Sequence, residues 1–170
     1  FPLPDPAAFD GDAQVLRCRW TADPEAAVAL LEDGVLAGSN VVTSWGSLGL
    51  FGPLTVDPPR QGRGLAHHLV EAALRLLEGP QVAFRGLFTF GESPMHVGLY
   101  QRFGYWPAGL AAVMSKRVRT GSKAPEGTAF LLRLSPDDQA EALSACRELT
   151  DSVFSGLDVT GEILTVGEQG

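Results

Sequence analysis

The chain reads as an α/β or α+β domain, and three observations lead there. Runs of β-forming residues at 26–31, 35–44, 48–56 and 82–90 are interleaved with helix-patterned segments at 64–78 and 95–103. The run at 48–56 passes through a glycine-rich turn straight into an amphipathic helix. Apolar residues make up 45% of the 170, enough for a domain of this size to bury a core.

Taken in order, the first 14 residues hold Pro2, Pro4 and Pro6 among small and acidic neighbours. They suit an irregular lead-in, with residues 1–12 lying ahead of the domain proper. Residues 26–31 and 35–44 flank the turn signal Glu32-Asp33-Gly34 and read as a hairpin. The next strand, 48–56, contains Gly52-Pro53, and a proline inside a strand pattern marks an edge or a bulge. Leu65, Leu69, Ala73, Leu76 and Leu77 recur at helical spacing until Gly79-Pro80 ends the pattern. Residues 82–90, apolar apart from Arg85 and Gly86, predict a strand buried on both faces. Ser93-Pro94 predicts an N-cap and first-turn proline for a short helix that Gly104 terminates.

A further strand is expected at 110–118, closing a domain over 13–118, and residues 119–128 read as a linker rich in Gly, Ser, Lys and Pro. Residues 129–134 predict a strand, Ser135-Pro136-Asp137-Asp138 a helix start, and 161–166 a second short helix. This strand-helix-helix segment, 129–170, has two open readings: the start of a second domain, or the completion of the first. The chain begins at Phe1 and is expected to be a piece of a longer protein.

Composition excludes several classes of function. A formal charge of −7 argues against a nucleic-acid-coating surface, which needs clustered excess Lys and Arg. Cys18 and Cys146 lack any CxxC spacing, so neither a disulfide framework nor a zinc site is expected. His67 and His68 are adjacent on a helix and face different sides, a poor arrangement for joint metal ligation. No apolar stretch approaches the roughly 20 residues that a membrane helix requires, and no signal peptide is recognisable. The expectation is a cytoplasmic protein that uses no metal, nucleic acid or membrane.

The junction itself runs Leu54-Thr55-Val56-Asp57-Pro58-Pro59-Arg60-Gln61-Gly62-Arg63-Gly64-Leu65-Ala66. A strand turning through glycines into a helix presents unpaired N–H groups and a positive helix end to an anion. His67 stands where a dinucleotide fingerprint needs Gly or Ala, and no Gly-Lys-Ser/Thr follows for a Walker loop. What remains, Gln61-Gly62-Arg63-Gly64-Leu65-Ala66, resembles the Gln-x-x-Gly-x-Ala pyrophosphate motif of the GCN5-related N-acetyltransferases, the GNAT family. Leu99-Tyr100-Gln101-Arg102-Phe103-Gly104-Tyr105 is similar to that family's Phe-Tyr-x-x-x-Gly-Phe helix end, and the resemblance spans residues 40–118.

The resemblance implies a mixed, mostly antiparallel sheet flanked by helices. It also implies transfer of an acetyl group from acetyl-CoA, the co-substrate, to a primary amine of a small molecule or peptide. Successive N–H groups from Gly62 to His67, including those of Gly64, Leu65 and Ala66, would hold the pyrophosphate, with Arg63 assisting. By motif position Leu54, Thr55 and Val56 would pair with the pantetheine arm as a peptide pairs with a strand edge. The Val56 N–H would face the developing oxyanion. Tyr100 corresponds to the family's general acid for the departing thiolate. A tyrosine near 10 protonating a thiolate near 8.5 is uphill by roughly 2 kcal/mol, so its hydroxyl assists without being obligatory. Ser93 falls where relatives place a residue touching the cofactor, and equally where a helix needs an N-cap.

The general base stays open between Glu92 and His96, each also readable as an ordinary polar residue. The acidic balance suits a cationic small molecule or basic peptide as acceptor. The family's opening helices, which often line the acceptor site, have no recognisable counterpart before Ala26. An alternative is therefore a non-catalytic acyl-CoA-binding module, and a homodimer or a second GNAT-like domain are the partners to test for.

Overall fold

The computed structural model describes residues 11–112, 114 and 125–167, in two compact units: one formed by residues up to 88 together with those from 143 onward, the other by 89–142. The first unit holds the sheet. Strand β1 (Ala27–Glu32) pairs antiparallel with β2 (Val35–Trp45) through a two-residue turn at Asp33 and Gly34. Both turn residues have positive φ, 53° and 77°, the twist that a tight hairpin favours. β2 is the central strand. Along one of its edges lie in succession β3 (Leu48–Phe51) and β4 (Thr55–Val56), both antiparallel to it. β5 (Phe84–Gly86) joins β3 in parallel. The mostly antiparallel mixed sheet expected from the sequence is thus present.

Helix α2 (Leu65–Leu76) lies on β2, with Leu69, Val70, Ala73 and, just beyond the helix, Leu77 buried. Two glycines make room for it: a Cβ on Gly38 would come within 2.9 Å of a Leu69 methyl, and one on Gly49 within 2.5 Å of a Leu77 methyl. Asn40, fully buried in β2, donates from Nδ2 to the Leu69 carbonyl at 3.2 Å and accepts from the Val41 N–H at 3.0 Å. A buried amide satisfied in this way ties the helix to one register on the strand.

Several sequence expectations need correction. Residues 11–14 are not an irregular lead-in but open helix α1 (Gly11–Ala22), which contacts α5 (Thr160–Gly167) and β2. The run at 82–90 is not a strand buried on both faces. Only three of its residues pair, on one edge, and Phe84, Phe88 and Phe90 are all exposed. Faces are buried by layers packed on the sheet, and the exposure of Phe84 and Arg85 shows that this strand is not covered on both. Residues 110–112 have no regular structure, and the remainder of the strand expected at 110–118 lies, but for Met114, outside the described residues, as does most of the linker. At 129–134 a single 3-10 turn at Leu131–Arg133 replaces the expected strand, Arg133 lying over the Phe130 ring.

In the second unit α3 (Pro94–Gln101) starts at Ser93 and stops before Gly104, whose φ is 82°. The Ser135 start is also as expected: its hydroxyl accepts from the Asp138 N–H at 3.2 Å and opens α4 (Pro136–Val153).

The end of the described chain packs into the first unit. Ser47 donates from its backbone N–H to the Gly156 carbonyl at 2.8 Å and from its hydroxyl to the Ser155 carbonyl at 2.6 Å. Trp45 donates from its ring to Glu162 on α5 (Thr160–Gly167) at 3.0 Å. Asp158 organises the turn between them. Its carboxylate accepts from the Thr160 hydroxyl and N–H, at 2.5 and 2.9 Å, and from Arg147 at 2.8 Å. The Thr160 hydrogen bonds chiefly, with Arg147 adding to them, hold this carboxyl below the usual carboxylate range. A depressed folded value contributes stability above the unfolded value that is lost as pH falls through the folded one. Acidification below about pH 4 is therefore expected to loosen residues 154–167 first, read by amide exchange, and Asp158→Asn to remove that acid sensitivity. Equal sensitivity in the variant would exclude the carboxylate as its source.

Candidate functional site

The strand leading into the junction is broken where the sequence placed its proline. β3 pairs with β2 up to Val42–Phe51, and β4 resumes at Ser39–Thr55. Asn40 and Val41 on β2 thus face Gly52, Pro53 and Leu54, two residues against three, which defines a bulge. The Gly52–Pro53 bond is cis, the Gly52 N–H donates to the Val41 carbonyl at 2.8 Å, and the Arg19 guanidinium holds the Gly52 carbonyl. Leu54 belongs to the bulge, so only Thr55 and Val56 of the three residues expected to meet the cofactor lie in the ladder.

Beyond the bulge, alternation decides which backbone groups are available. The Asp57 N–H donates to the Ala37 carbonyl at 2.9 Å, so Asp57 and Thr55 face β2. Val56 then faces the other way. Among the described residues no strand pairs with that edge of β4, because β5 follows β3 only as far as Leu50–Gly86. The Val56 carbonyl on this edge accepts from the Gln61 side-chain amide at 3.1 Å. The motif glutamine thereby fixes the loop to the strand it follows.

The loop continues through a 3-10 turn at Pro58–Arg60 to Gly62 and Gly64, with φ of 76° and 82°. A left-handed residue at both places folds the chain back sharply, and glycine adopts it without strain. Gly64 is the N-cap of α2 and, having no side chain, leaves the helix end without a side-chain cap. No acidic residue stands in the first turn of α2, so nothing there opposes an anion. Residues 61–64 are exposed while Leu65, Ala66 and His67 are half-buried. One amide differs from expectation: the His67 N–H donates to the Gly64 carbonyl at 3.0 Å and is already engaged. The His67 ring lies 3.4 Å from Glu71, which also approaches His68 at 3.7 Å. Among the described residues no three His, Cys, Asp or Glu side chains gather to hold a metal.

Two further features escaped the sequence. Glu32, at the end of β1, pairs with both arginines of the loop, Arg60 at 2.6 Å and Arg63 at 2.6 Å, and Arg60 also reaches Asp57 at 3.2 Å. Asn40 anchors the helix that carries the loop. A polar residue inside an apolar β run was the one visible signal for Asn40, whereas Glu32 was read only as part of a turn.

In the second unit Tyr100 is buried on α3, and burial pushes its hydroxyl above its ordinary value. It stays protonated through neutral and mildly alkaline pH, a hydrogen-bond donor and not a base. Ser93 caps α3: its hydroxyl lies 2.6 Å from His96 Nδ1 and 3.5 Å from the His96 N–H. Of its two sequence readings the structure displays the cap. His96, one of two candidate bases, is engaged with Ser93 and edge-on to the Phe90 ring at 5.8 Å, while Glu92 is exposed.

A family model described as acetyltransferase (GNAT) family matches residues 2–105. No curated protein matches the chain. Among solved structures, a provisionally named acetyltransferase of Agrobacterium tumefaciens is 15% identical, with a TM-score of 0.51 over 63% of this chain and 80% of its own. An acetyltransferase of Trypanosoma brucei is 16% identical, with a TM-score of 0.48 over 61% of this chain and 77% of its own. Glucosamine-6-phosphate N-acetyltransferase of Arabidopsis thaliana is 18% identical, with a TM-score of 0.46 over 64% and 76%.

Proposed function

The chain belongs to the acetyltransferase (GNAT) family, and from that premise we propose that it moves the acetyl group of acetyl-CoA to a primary amine by direct attack, with Tyr100 as the general acid. The observation that carries this is the continuity of the site in the first unit: an edge at Val56 with which no strand pairs among the described residues runs within a few residues into an exposed helix end that has no side-chain cap and is preceded by two left-handed glycines. Acetyl-CoA needs both, a peptide-like edge for its pantetheine amides and clustered N–H donors for its pyrophosphate.

In the proposed reaction the Val56 N–H donates to the oxyanion that forms when the amine nitrogen attacks the thioester carbon. The carbon–sulfur bond then breaks, Tyr100 gives its hydroxyl proton to the departing thiolate, and the proton that the attacking nitrogen sheds returns through solvent to the phenolate. Burial makes that transfer harder than for an ordinary tyrosine, so the hydroxyl contributes mainly as a neutral donor as sulfur gains charge. The assignment of Tyr100 rests on its place in the motif. The acceptor is proposed to be an amine-bearing small molecule or peptide, which the net charge of −7 would favour if cationic.

Calorimetric titration with acetyl-CoA followed by a turnover screen against amines tests the reading. Tyr100→Phe is expected to lower kcat about 100-fold, the low end for a general acid, while acetyl-CoA affinity stays within about twofold. Equal turnover in both proteins removes Tyr100 from the chemistry. Tight binding without turnover of any amine would favour the acyl-CoA-binding module instead.

A further inference from the structure

Two arginines share one carboxylate at the mouth of the glycine loop. Arg63 meets Glu32 in a two-pronged contact, Nη2 to Oε1 at 2.6 Å and Nη1 to Oε2 at 2.9 Å. Arg60 reaches the same Oε2 at 2.6 Å and is held a second time by Asp57. The two differ in freedom. The Arg60 side chain is 23% exposed and has two partners, while that of Arg63 is 54% exposed and stands between the left-handed glycines 62 and 64. Ion pairs at a protein surface are typically worth about 1 kcal/mol or less, and a guanidinium fork fits a phosphate as well as a carboxylate.

We propose that Glu32 is an internal stand-in anion: it holds Arg63 in the ligand-free protein, and an entering phosphate group takes Arg63 over. The exchange does not strand Glu32, because Arg60, also held by Asp57, keeps its own bond to Glu32 Oε2, although one arginine then serves two carboxylates. Glu32 thus acts as a positioning residue that keeps Arg63 ordered beside the loop at the cost of competing with the ligand for it. The proposal rests on the cofactor reading above, with CoA as the source of the phosphate.

The test is a double-mutant cycle by calorimetric titration with CoA at low salt, using wild type, Glu32→Gln, Arg63→Ala and the double variant, each checked for an unchanged thermal transition. Exchange predicts that Glu32→Gln tightens CoA binding about threefold and that the gain shrinks to within about 1.5-fold in the Arg63→Ala background. A gain that persists without Arg63 would show a through-space charge effect and overturn the exchange. So would weaker binding by Glu32→Gln, which would make Glu32 a builder of the loop. Wild-type protein that takes up no CoA would instead overturn the cofactor reading itself, an outcome distinct from the other two.

Discussion

Gly64→Glu is expected to lower acetyl-CoA affinity by at least about 100-fold with little change in fold. Gly64 caps α2 with φ 82°, and a Cβ built there meets no atom within 4 Å. The substitution therefore creates no clash. What it adds is a carboxylate at the helix end where the pyrophosphate is proposed to sit, and two like charges about 4 Å apart repel by ~4 kcal/mol at an effective dielectric of 20. It also adds left-handed strain of about 1–2 kcal/mol. Gly64→Asn separates the two effects, since asparagine tolerates this conformation and carries no charge. Binding close to wild type in Gly64→Asn and lost in Gly64→Glu would place the anion at this helix end. Loss in both would point to the backbone, and retention in both would remove the helix end from the binding site.

What could be read in the sequence follows from the range of the interactions involved. The hairpin at Asp33-Gly34, the bulge at Gly52-Pro53 and the helix starts at Ser93 and Ser135 are local: each needs only a few neighbouring residues, and each stands where the pattern put it. Helix α1 was missed because its apolar residues Val15, Leu16, Cys18 and Trp20 are spread around the helix and form no single apolar face, and it contacts α5 and β2, both distant in sequence. The reverse error at 82–90 has the same root. Composition records that a segment is apolar but not what packs over its faces, and here Phe84, Phe88 and Phe90 stay exposed. At the candidate site the glycine loop was legible because backbone conformation is written locally. The Glu32–Arg63 pair, 31 residues apart, was not, since it exists only once the β1–β2 turn has been folded against the loop.

The closing segment puts this distinction to a quantitative test through Gly46→Ala. Gly46 lies in the turn between β2 and β3 with φ 63°, bridges to Leu157, and would place a Cβ only 2.1 Å from the Gly156 carbonyl oxygen. Because that neighbour is backbone, relief requires the segment to move away, and with it the Ser47 N–H bond to Gly156, the Ser47 hydroxyl bond to Ser155 and the bond from the Asp158 N–H to Trp45. Gly34→Ala is the matched control: its φ is 77°, but a Cβ there meets nothing within 4 Å. The control is expected to cost about 1–2 kcal/mol for the left-handed conformation alone. Gly46→Ala should cost about 2–3 kcal/mol more, as hydrogen bonds worth roughly 1 kcal/mol each are lost. Urea unfolding gives the two costs, and amide exchange across 154–160 should rise in Gly46→Ala only. Equal costs and equal exchange would mean that this docking contributes nothing to stability. From Trp45 back to Gly38, where β2 meets β4, is seven residues, roughly 23 Å of extended strand. Acetyl-CoA binding is accordingly expected to survive in Gly46→Ala at temperatures where the protein stays folded, so the segment supports the sheet at the end remote from the cofactor loop.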